Sequence, residues 1–271
     1  MAEGSSEYVR DIIKIGKLNI AYQHKGKGKP LVLLHGALSD SRVWRRQIAE
    51  LSELFEIVAW DAPGCGRSSD PPEDFTLSDY AECLAEFIKI VGLKNPHILG
   101  LSFGAGLALE FYRCYPENPR TLVLASAYAG WAGSLPPEVV EERRQKAIEL
   151  ADMPLEIVIS SWLPSFFAES VTKDVIEETI AIMSDYHPIG ARVMANAFAE
   201  ADLRGMLPTI NIPTLLLFGG ADQRTSIAIA EDLHSKIPKS KLVIIPGAGH
   251  DLNLEVPEIF NKEVHDFLLF L

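Results

Sequence analysis

The chain has 271 residues, of which 48% are hydrophobic, and it carries a formal net charge of −12. That length suits one large domain or two small ones, and the apolar content is sufficient for a sizeable buried core. The acidic balance argues against a nucleic-acid-binding face, because phosphate recognition requires clustered lysine and arginine side chains.

The polar stretch at residues 1–7 lacks the apolar centre of a signal peptide. No apolar run of the sequence is long enough to span a membrane. We therefore expect a cytoplasmic protein without a membrane or nucleic-acid partner, and as its assembly a monomer or a homodimer. The three cysteines (Cys65, Cys83 and Cys114) are far apart, which predicts neither a disulfide framework nor a zinc site.

The predicted elements begin with an antiparallel hairpin at the sheet edge, formed by strands near residues 8–15 and 18–23. Six further strands are predicted from apolar runs at residues 31–34, 57–60, 98–99, 122–124, 215–218 and 242–245. These runs are nearly continuous, which is typical of parallel strands buried on both faces. Helical patterns lie between the strands at residues 43–55, 77–91, 104–115, 228–237 and 257–270. The alternation predicts an α/β fold with a mostly parallel eight-stranded sheet flanked by helices.

The stretch from residue 131 to residue 206 interrupts this alternation. It contains no convincing strand, and helical patterns punctuated by prolines occupy it instead. We interpret it as a helical cap inserted into a core domain that residues 1–130 and 207–271 form. A row of ordinary crossover helices is the alternative interpretation.

A single serine stands between glycines where a strand is predicted to lead into a helix. The sequence Gly100-Leu101-Ser102-Phe103-Gly104 fits the pattern G-x-S-x-G, in which a sharp, strained turn projects the serine hydroxyl above the sheet. The positions two before and two after the serine must be small, and Gly100 and Gly104 meet that need. A phosphate-binding loop is excluded because no Lys-Ser or Lys-Thr follows. Ser102 is therefore the candidate nucleophile.

A serine hydroxyl needs a base that takes its proton, and His250 is the candidate. It lies in a glycine-rich loop after the last predicted strand, at the sheet edge where α/β folds carry their sites. The base in turn needs a carboxylate that fixes its tautomer. Asp222 follows a buried strand upstream of His250, and no acid occurs at the other common position, between residues 120 and 137. We interpret Asp251 as a solvated loop charge.

Acyl transfer also requires hydrogen-bond donors for the oxyanion. We expect one donor to be the backbone N–H of Phe103, at the start of the helix after the nucleophile. The other is expected from the loop that follows residues 31–34, where Ala37 is the first candidate and Leu38 the reserve.

With these residues in place, the chain resembles the α/β-hydrolase superfamily over nearly its whole length. The order Ser102, Asp222, His250 is the order of that fold. Further family marks are His35-Gly36 after a strand and residues 61–68, a form of D-x-x-G-x-G-x-S. The serine turn is similar to that of small serine carboxylesterases and 3-oxoadipate enol-lactonases. The resemblance implies a hydrolase that cleaves a small carboxylic ester through an acyl-enzyme intermediate, without a metal or cofactor.

The expected partner is a small-molecule ester or lactone. The residues expected to contact it are His35, Gly36, Trp131, Trp162 and Phe166. The predicted cap contains no cluster of arginine or lysine suited to a substrate carboxylate, and each buried methylene adds only ~0.8 kcal/mol. We therefore expect short, uncharged acyl groups of roughly two to six carbons, with a size limit set by the apolar pocket. An enol-lactone or other lactone hydrolase is one alternative, and a ligand sensor with slow turnover is another.

Overall fold

One eight-stranded sheet organises the residues that the computed structural model describes, 9–169 and 171–269. Its strands are β1 (Val9–Ile15), β2 (Leu18–Lys25), β3 (Lys29–Leu34), β4 (Phe55–Trp60), β5 (His97–Leu101), β6 (Thr121–Ala125), β7 (Thr214–Gly219) and β8 (Ser240–Ile245). They lie in the order β1-β2-β4-β3-β5-β6-β7-β8. The first two neighbouring pairs are antiparallel and the other five are parallel, as the apolar runs predict. Tyr8, the first residue of the predicted hairpin, lies outside the described residues.

Helices cover both faces of the sheet. They are α1 (Arg45–Leu51), α2 (Leu77–Val91), α3 (Phe103–Cys114), α4 (Pro137–Ala151), α5 (Leu155–Trp162), α6 (Lys173–Met183), α7 (Pro188–Glu200), α8 (Ile227–Lys236), α9 (Leu252–Glu255) and α10 (Pro257–Leu269). One buried apolar cluster joins the sheet to α2, α3 and α8, and a second joins the opposite face to α1, α9 and α10. The predicted α/β architecture is therefore confirmed. Phe270, at the end of the last predicted helix, lies outside the described residues. Within the described part of the chain, no helix combines the length and apolar character needed to cross a membrane.

The helix predicted over residues 43–55 is wrong at both ends. The chain first forms a 3-10 turn (Ser41–Trp44), in which the Asp40 carboxylate accepts a hydrogen bond of 2.8 Å from the Arg42 amide. Helix α1 then ends at Leu51. Phe55 already belongs to β4, where it is buried and pairs with Lys29. The prediction failed because apolar residues of α1, the following turn and β4 together keep the spacing of a single helix.

Four helices, α4 to α7, lie between β6 and β7, and the described residues of that connection form no strand. Because β6 and β7 are direct neighbours, a parallel connection between them requires only one crossover helix. Helix α7 contacts α2 and α3 of the core. At its start, Gly190 approaches Gly64 so closely that a Cβ on Gly190 would lie 2.0 Å from the Gly64 carbonyl oxygen. Helix α7 thus attaches the inserted helices to the core, whereas a separate cap domain at residues 131–206 stays a prediction.

Candidate active site

Ser102 occupies a strained turn between β5 and α3. Its backbone angles are φ 54° and ψ −112°, a left-handed conformation that residues with a side chain rarely adopt. Its amide donates a hydrogen bond of 2.9 Å to the Ala125 carbonyl of the neighbouring strand. A Cβ on Gly100 would lie 2.2 Å from the Gly104 carbonyl oxygen, and one on Gly104 would lie 2.1 Å from that of Leu34. The two glycines are therefore required because backbone from α3 and β3 fills the space around the serine.

Asp222 and His250, which are 28 residues apart in the chain, meet at the carboxyl ends of β7 and β8. A hydrogen bond of 2.8 Å joins His250 Nδ1 to Asp222 Oδ2, and both side chains are almost fully buried. The second oxygen of Asp222 accepts hydrogen bonds from the amides of Arg224 (2.7 Å) and Thr225 (3.0 Å). Burial alone raises the pKa of Asp222, but the facing His250 and hydrogen bonds from Thr225 lower it to about 2. This carboxylate is therefore ionised and aimed at the imidazole.

Ser102 and His250 line the same cavity. Within the described part of the chain, no hydrogen bond joins the Ser102 hydroxyl to the imidazole ring. Enzymes without bound substrate often hold such a pair at a longer distance that shortens on binding. The arrangement brings a hydroxyl, an imidazole and a buried carboxylate to one cavity edge.

The loop after β3 forms the cavity wall opposite the imidazole, with Gly36, Ala37 and Leu38 all lining the cavity. A Cβ on Gly36 would lie 3.5 Å from the Ser102 Cβ, so this loop packs directly against the serine. Leu38 has a left-handed backbone conformation (φ 58°), which bends the chain at the end of this loop segment. Among the described residues, the amides of Ala37 and Phe103 donate no hydrogen bond. Both are therefore available to an oxygen atom placed beside Ser102.

His35 lies behind this wall and does not line the cavity, which corrects its predicted place among the substrate contacts. Its ring is 1% exposed. The Nε2 atom accepts a hydrogen bond of 3.0 Å from the Ala62 amide, so the proton sits on Nδ1, which donates to the Gly36 carbonyl at 2.7 Å. Burial lowers the pKa of His35, which keeps the ring neutral. His35 therefore braces Gly36 against the loop after β4.

Aromatic and aliphatic side chains form the remaining cavity wall, and the predicted substrate contacts Trp131, Trp162 and Phe166 are among them. Phe198 lines it as well and packs edge-on against Phe103, with ring centres 5.5 Å apart. The cavity volume is about 60 Å³. An apolar cavity of ~150 Å³ holds one benzene molecule. The free space beside the serine therefore suits a short acyl chain.

Two charged residues of the cavity wall were not predicted as site residues. Asp251, interpreted from the sequence as a solvated loop charge, is half-buried and lines the cavity, and its carboxylate accepts no hydrogen bond from the described residues. Burial raises its pKa to about 6, against the opposing charges of His250 and Arg224. Arg224 also lines the cavity. The sequence signal that could have found them is their position in the chain, because Arg224 is two residues after Asp222 and Asp251 directly follows His250.

Two of the three cysteines are too deeply buried to offer a competing nucleophile. All three are free, and Cys65 and Cys83 are buried. Burial raises the pKa of Cys65 well above its ordinary value and that of Cys83 to about 12. Both thiols therefore stay protonated near neutral pH, whereas a thiolate is the form that attacks.

Comparisons with known proteins identify the fold family of the chain. A family model described as the alpha/beta hydrolase fold matches residues 29–257. The chain is 27% identical to a putative carbamate hydrolase of Azorhizobium caulinodans, over 93% of this chain and 96% of that protein. It is 25% identical to a 2-(acetamidomethylene)succinate hydrolase of Mesorhizobium japonicum, over 97% and 96% of the two chains. A malate-bound thermophilic esterase from Thermogutta terrifontis superposes with a TM-score of 0.87 at 28% identity, covering 97% of this chain and 98% of that chain.

Proposed function

The chain belongs to the α/β-hydrolase fold family, and on that premise we propose that it is a serine hydrolase that cleaves small carboxylic esters. The observation that carries the proposal is the buried Asp222–His250 hydrogen bond at the edge of the cavity that Ser102 lines. A buried, ionised carboxylate facing an imidazole stabilises the imidazolium that forms when the serine is deprotonated. A histidine with only a structural role would not need to line a cavity, whereas His250 does.

In the proposed reaction, His250 takes the Ser102 hydroxyl proton through Nε2 as Ser102 Oγ attacks the ester carbonyl carbon. The carbonyl oxygen becomes an oxyanion that the amides of Ala37 and Phe103 stabilise. The imidazolium then gives its proton to the leaving alcohol as the carbon–oxygen bond breaks, which leaves an acyl-enzyme. His250 next deprotonates a water molecule that attacks the acyl carbon, and it returns the proton to Ser102 as the carboxylic acid leaves.

A hydrolase of an ester or lactone that carries a carboxylate is the second candidate, and Arg224 in the cavity wall favours it. The expectation of uncharged acyl groups rested on the absence of a cationic cluster between residues 131 and 206. Arg224 lies outside that stretch. Two of the similar proteins are associated with a dicarboxylate: one is a hydrolase of a substituted succinate, and the other is an esterase with bound malate.

Steady-state turnover of p-nitrophenyl acetate and butyrate tests the proposal. We expect many turnovers per active site from the wild-type chain. Ser102→Ala should lose nearly all of that rate and retain only the ~10³–10⁴-fold advantage over water that an oxyanion site and binding supply. A single burst equal to the protein concentration, followed by no further product, would favour the slow-turnover sensor instead.

A further inference from the structure

A guanidinium group lies in the wall of the cavity beside Ser102. Arg224 follows Asp222 by two residues, and its side chain extends toward the inserted helices. The guanidinium carbon is 5.1 Å from the ring centre of Trp162 and 5.4 Å from that of Phe166. Its Nη1 atom donates a hydrogen bond of 2.9 Å to the Ser165 hydroxyl. Two aromatic rings and one hydroxyl thus hold the cation in place.

Arg224 lacks an ion-pair partner among the described residues. The guanidinium forms no ion pair with any described carboxylate, and its Nε atom is buried without a hydrogen-bond partner. Asp251 is the one acidic residue among the described cavity-lining residues, and it is not within ion-pair distance of the guanidinium. A buried donor without a partner is costly, and a buried unpaired charge more so. The position is therefore suited to an anion that arrives with a ligand.

Two neighbouring cations reinforce this charge. Arg143 donates hydrogen bonds to the Tyr128 hydroxyl (2.8 Å) and the Arg224 carbonyl oxygen (3.4 Å), and Lys146 lies 5.4 Å from the Trp162 ring centre. Neither forms an ion pair with a described carboxylate. The chain as a whole has twelve more acidic than basic side chains. Arg143, Lys146 and Arg224 thus place three cationic side chains near this part of the cavity wall, in a chain that is acidic overall.

We infer that Arg224 forms an anion subsite that selects ester or lactone substrates carrying a free carboxylate. The inference rests on the proposed function, since it assigns the substrate class of the same cavity. Arginine suits this task because its planar fork binds both oxygens of a carboxylate. The competing explanation is that Arg224 only packs between Trp162 and Phe166 and holds the inserted helices to the β7 loop.

Two substrates that differ in one group separate these explanations: monomethyl succinate carries a carboxylate where methyl succinamate carries a neutral amide. We expect wild-type kcat/KM to favour the acid by at least about tenfold, the usual range for a hydrogen bond to a charged group. Arg224→Gln should bring the ratio of the two kcat/KM values close to one. Because both values come from the same protein sample, loss of folded protein cancels in the ratio.

Arg120→Gln is the matched control, since it removes the same charge at the opposite end of the sheet and should leave the ratio unchanged. Equal wild-type values for the two substrates would overturn the inference. A parallel fall for both substrates in Arg224→Gln, with the ratio kept, would overturn it as well and would assign Arg224 to packing.

Calorimetric measurement of ester binding to the Ser102→Ala variant tests the subsite without turnover. We expect monomethyl succinate to bind at least about tenfold more tightly than methyl succinamate, and Arg224→Gln in the same background to remove the difference. Binding without discrimination would overturn the inference even if the wild-type chain hydrolyses both esters. Discrimination in binding, with no hydrolysis of either ester by the wild-type chain, would uphold the subsite and overturn the proposed esterase function.

Discussion

Two carboxyl groups near His250 have pKa values shifted in opposite directions, and burial and hydrogen bonding account for the difference. Asp222 accepts hydrogen bonds at both oxygens, and its pKa falls to about 2 although burial opposes ionisation. Asp251 is the next residue after His250, yet its carboxylate accepts no hydrogen bond from the described residues, and burial raises its pKa to about 6. A carboxylate that orients an imidazole must be ionised and within hydrogen-bond distance of it, and only Asp222 meets both conditions.

Asp222→Asn should lower kcat on p-nitrophenyl butyrate by about 10⁴, because an amide at this position stabilises the wrong imidazole tautomer. Asp251→Asn preserves the Asp222–His250 hydrogen bond and should cost far less. Steady-state kinetics of the two purified variants checks the prediction. A larger loss in Asp251→Asn would mean that Asp251 is the orienting acid.

Asp251 should also make the stability of the protein depend on pH. Its pKa is about 6 in the folded chain and 3.8 ordinarily, so the folded state holds the proton more tightly. Stability from this group is therefore complete below pH 4 and is lost as the pH rises through 6. Asp251→Asn lacks the ionisation, so its melting temperature should exceed that of wild type at pH 8, by a margin that shrinks toward pH 4. A margin that grows toward pH 4 would contradict the assigned pKa.

Sequence reasoning singled out Ser102, Asp222 and His250 because each stands directly after a strand and within a recognisable local pattern. Arg224 was missed for a physical reason. Its long side chain reaches across a gap between the β7 loop and Trp162, and neither residue's sequence neighbourhood indicates that contact. His35 was misassigned because a residue after a strand can point toward the cavity or away from it, and only the hydrogen bonds with Gly36 and Ala62 decide which.

Among the elements, α9 links the inserted segment to the loop after β8. The Glu255 side chain forms this link by hydrogen bonds to both. Glu255 accepts a hydrogen bond of 2.9 Å from the Ala168 amide and another of 2.6 Å from the Gly249 amide. Beside it, the Asp251 amide donates to the Phe166 carbonyl at 2.9 Å. The position of Phe166 in the cavity wall is thus coupled to the position of the loop that holds the base.

Glu255→Gln should loosen this attachment, because an amide can accept at only one end and its NH₂ group would face a backbone N–H. We expect a loss of about 1–3 kcal/mol in stability, a raised KM for p-nitrophenyl butyrate and faster proteolysis between residues 163 and 172. Glu263→Gln is the control, since Glu263 pairs with Lys241 on the surface and should change each quantity little. An unchanged KM and an unchanged proteolysis rate in Glu255→Gln would show that the attachment does not position the cavity wall.

The order of strands and helices followed from the sequence because buried parallel strands and amphipathic helices have distinct periods. Boundaries were less secure where apolar residues of adjoining elements kept one period, as between residues 43 and 55. The attachment of α7 to the core was not predictable either. It depends on a close approach of Gly64 and Gly190, which are 126 residues apart and carry no local signal.

At the scale of the whole molecule, the size of the cavity should set the range of neutral substrates. The cavity volume is about 60 Å³, and the rings of Trp131, Phe166 and Phe198 are part of its wall. Among p-nitrophenyl esters, kcat/KM should be highest for acetate and butyrate, lower for octanoate and lowest for palmitate. Each buried methylene contributes only ~0.8 kcal/mol, and acyl chains longer than the cavity gain no further burial. A maximum at palmitate would contradict a limit on acyl chain length set by the cavity volume.

The identity of the nucleophile is the central claim, and covalent labelling tests it most directly. A fluorophosphonate reacts with an activated serine by losing fluoride and leaving a phosphonyl group on Oγ. We expect one adduct per chain, located by peptide mass mapping on Ser102, and no adduct on the Ser102→Ala variant, whose esterase activity should be nearly absent. An adduct on another residue, together with esterase activity retained in Ser102→Ala, would contradict this claim.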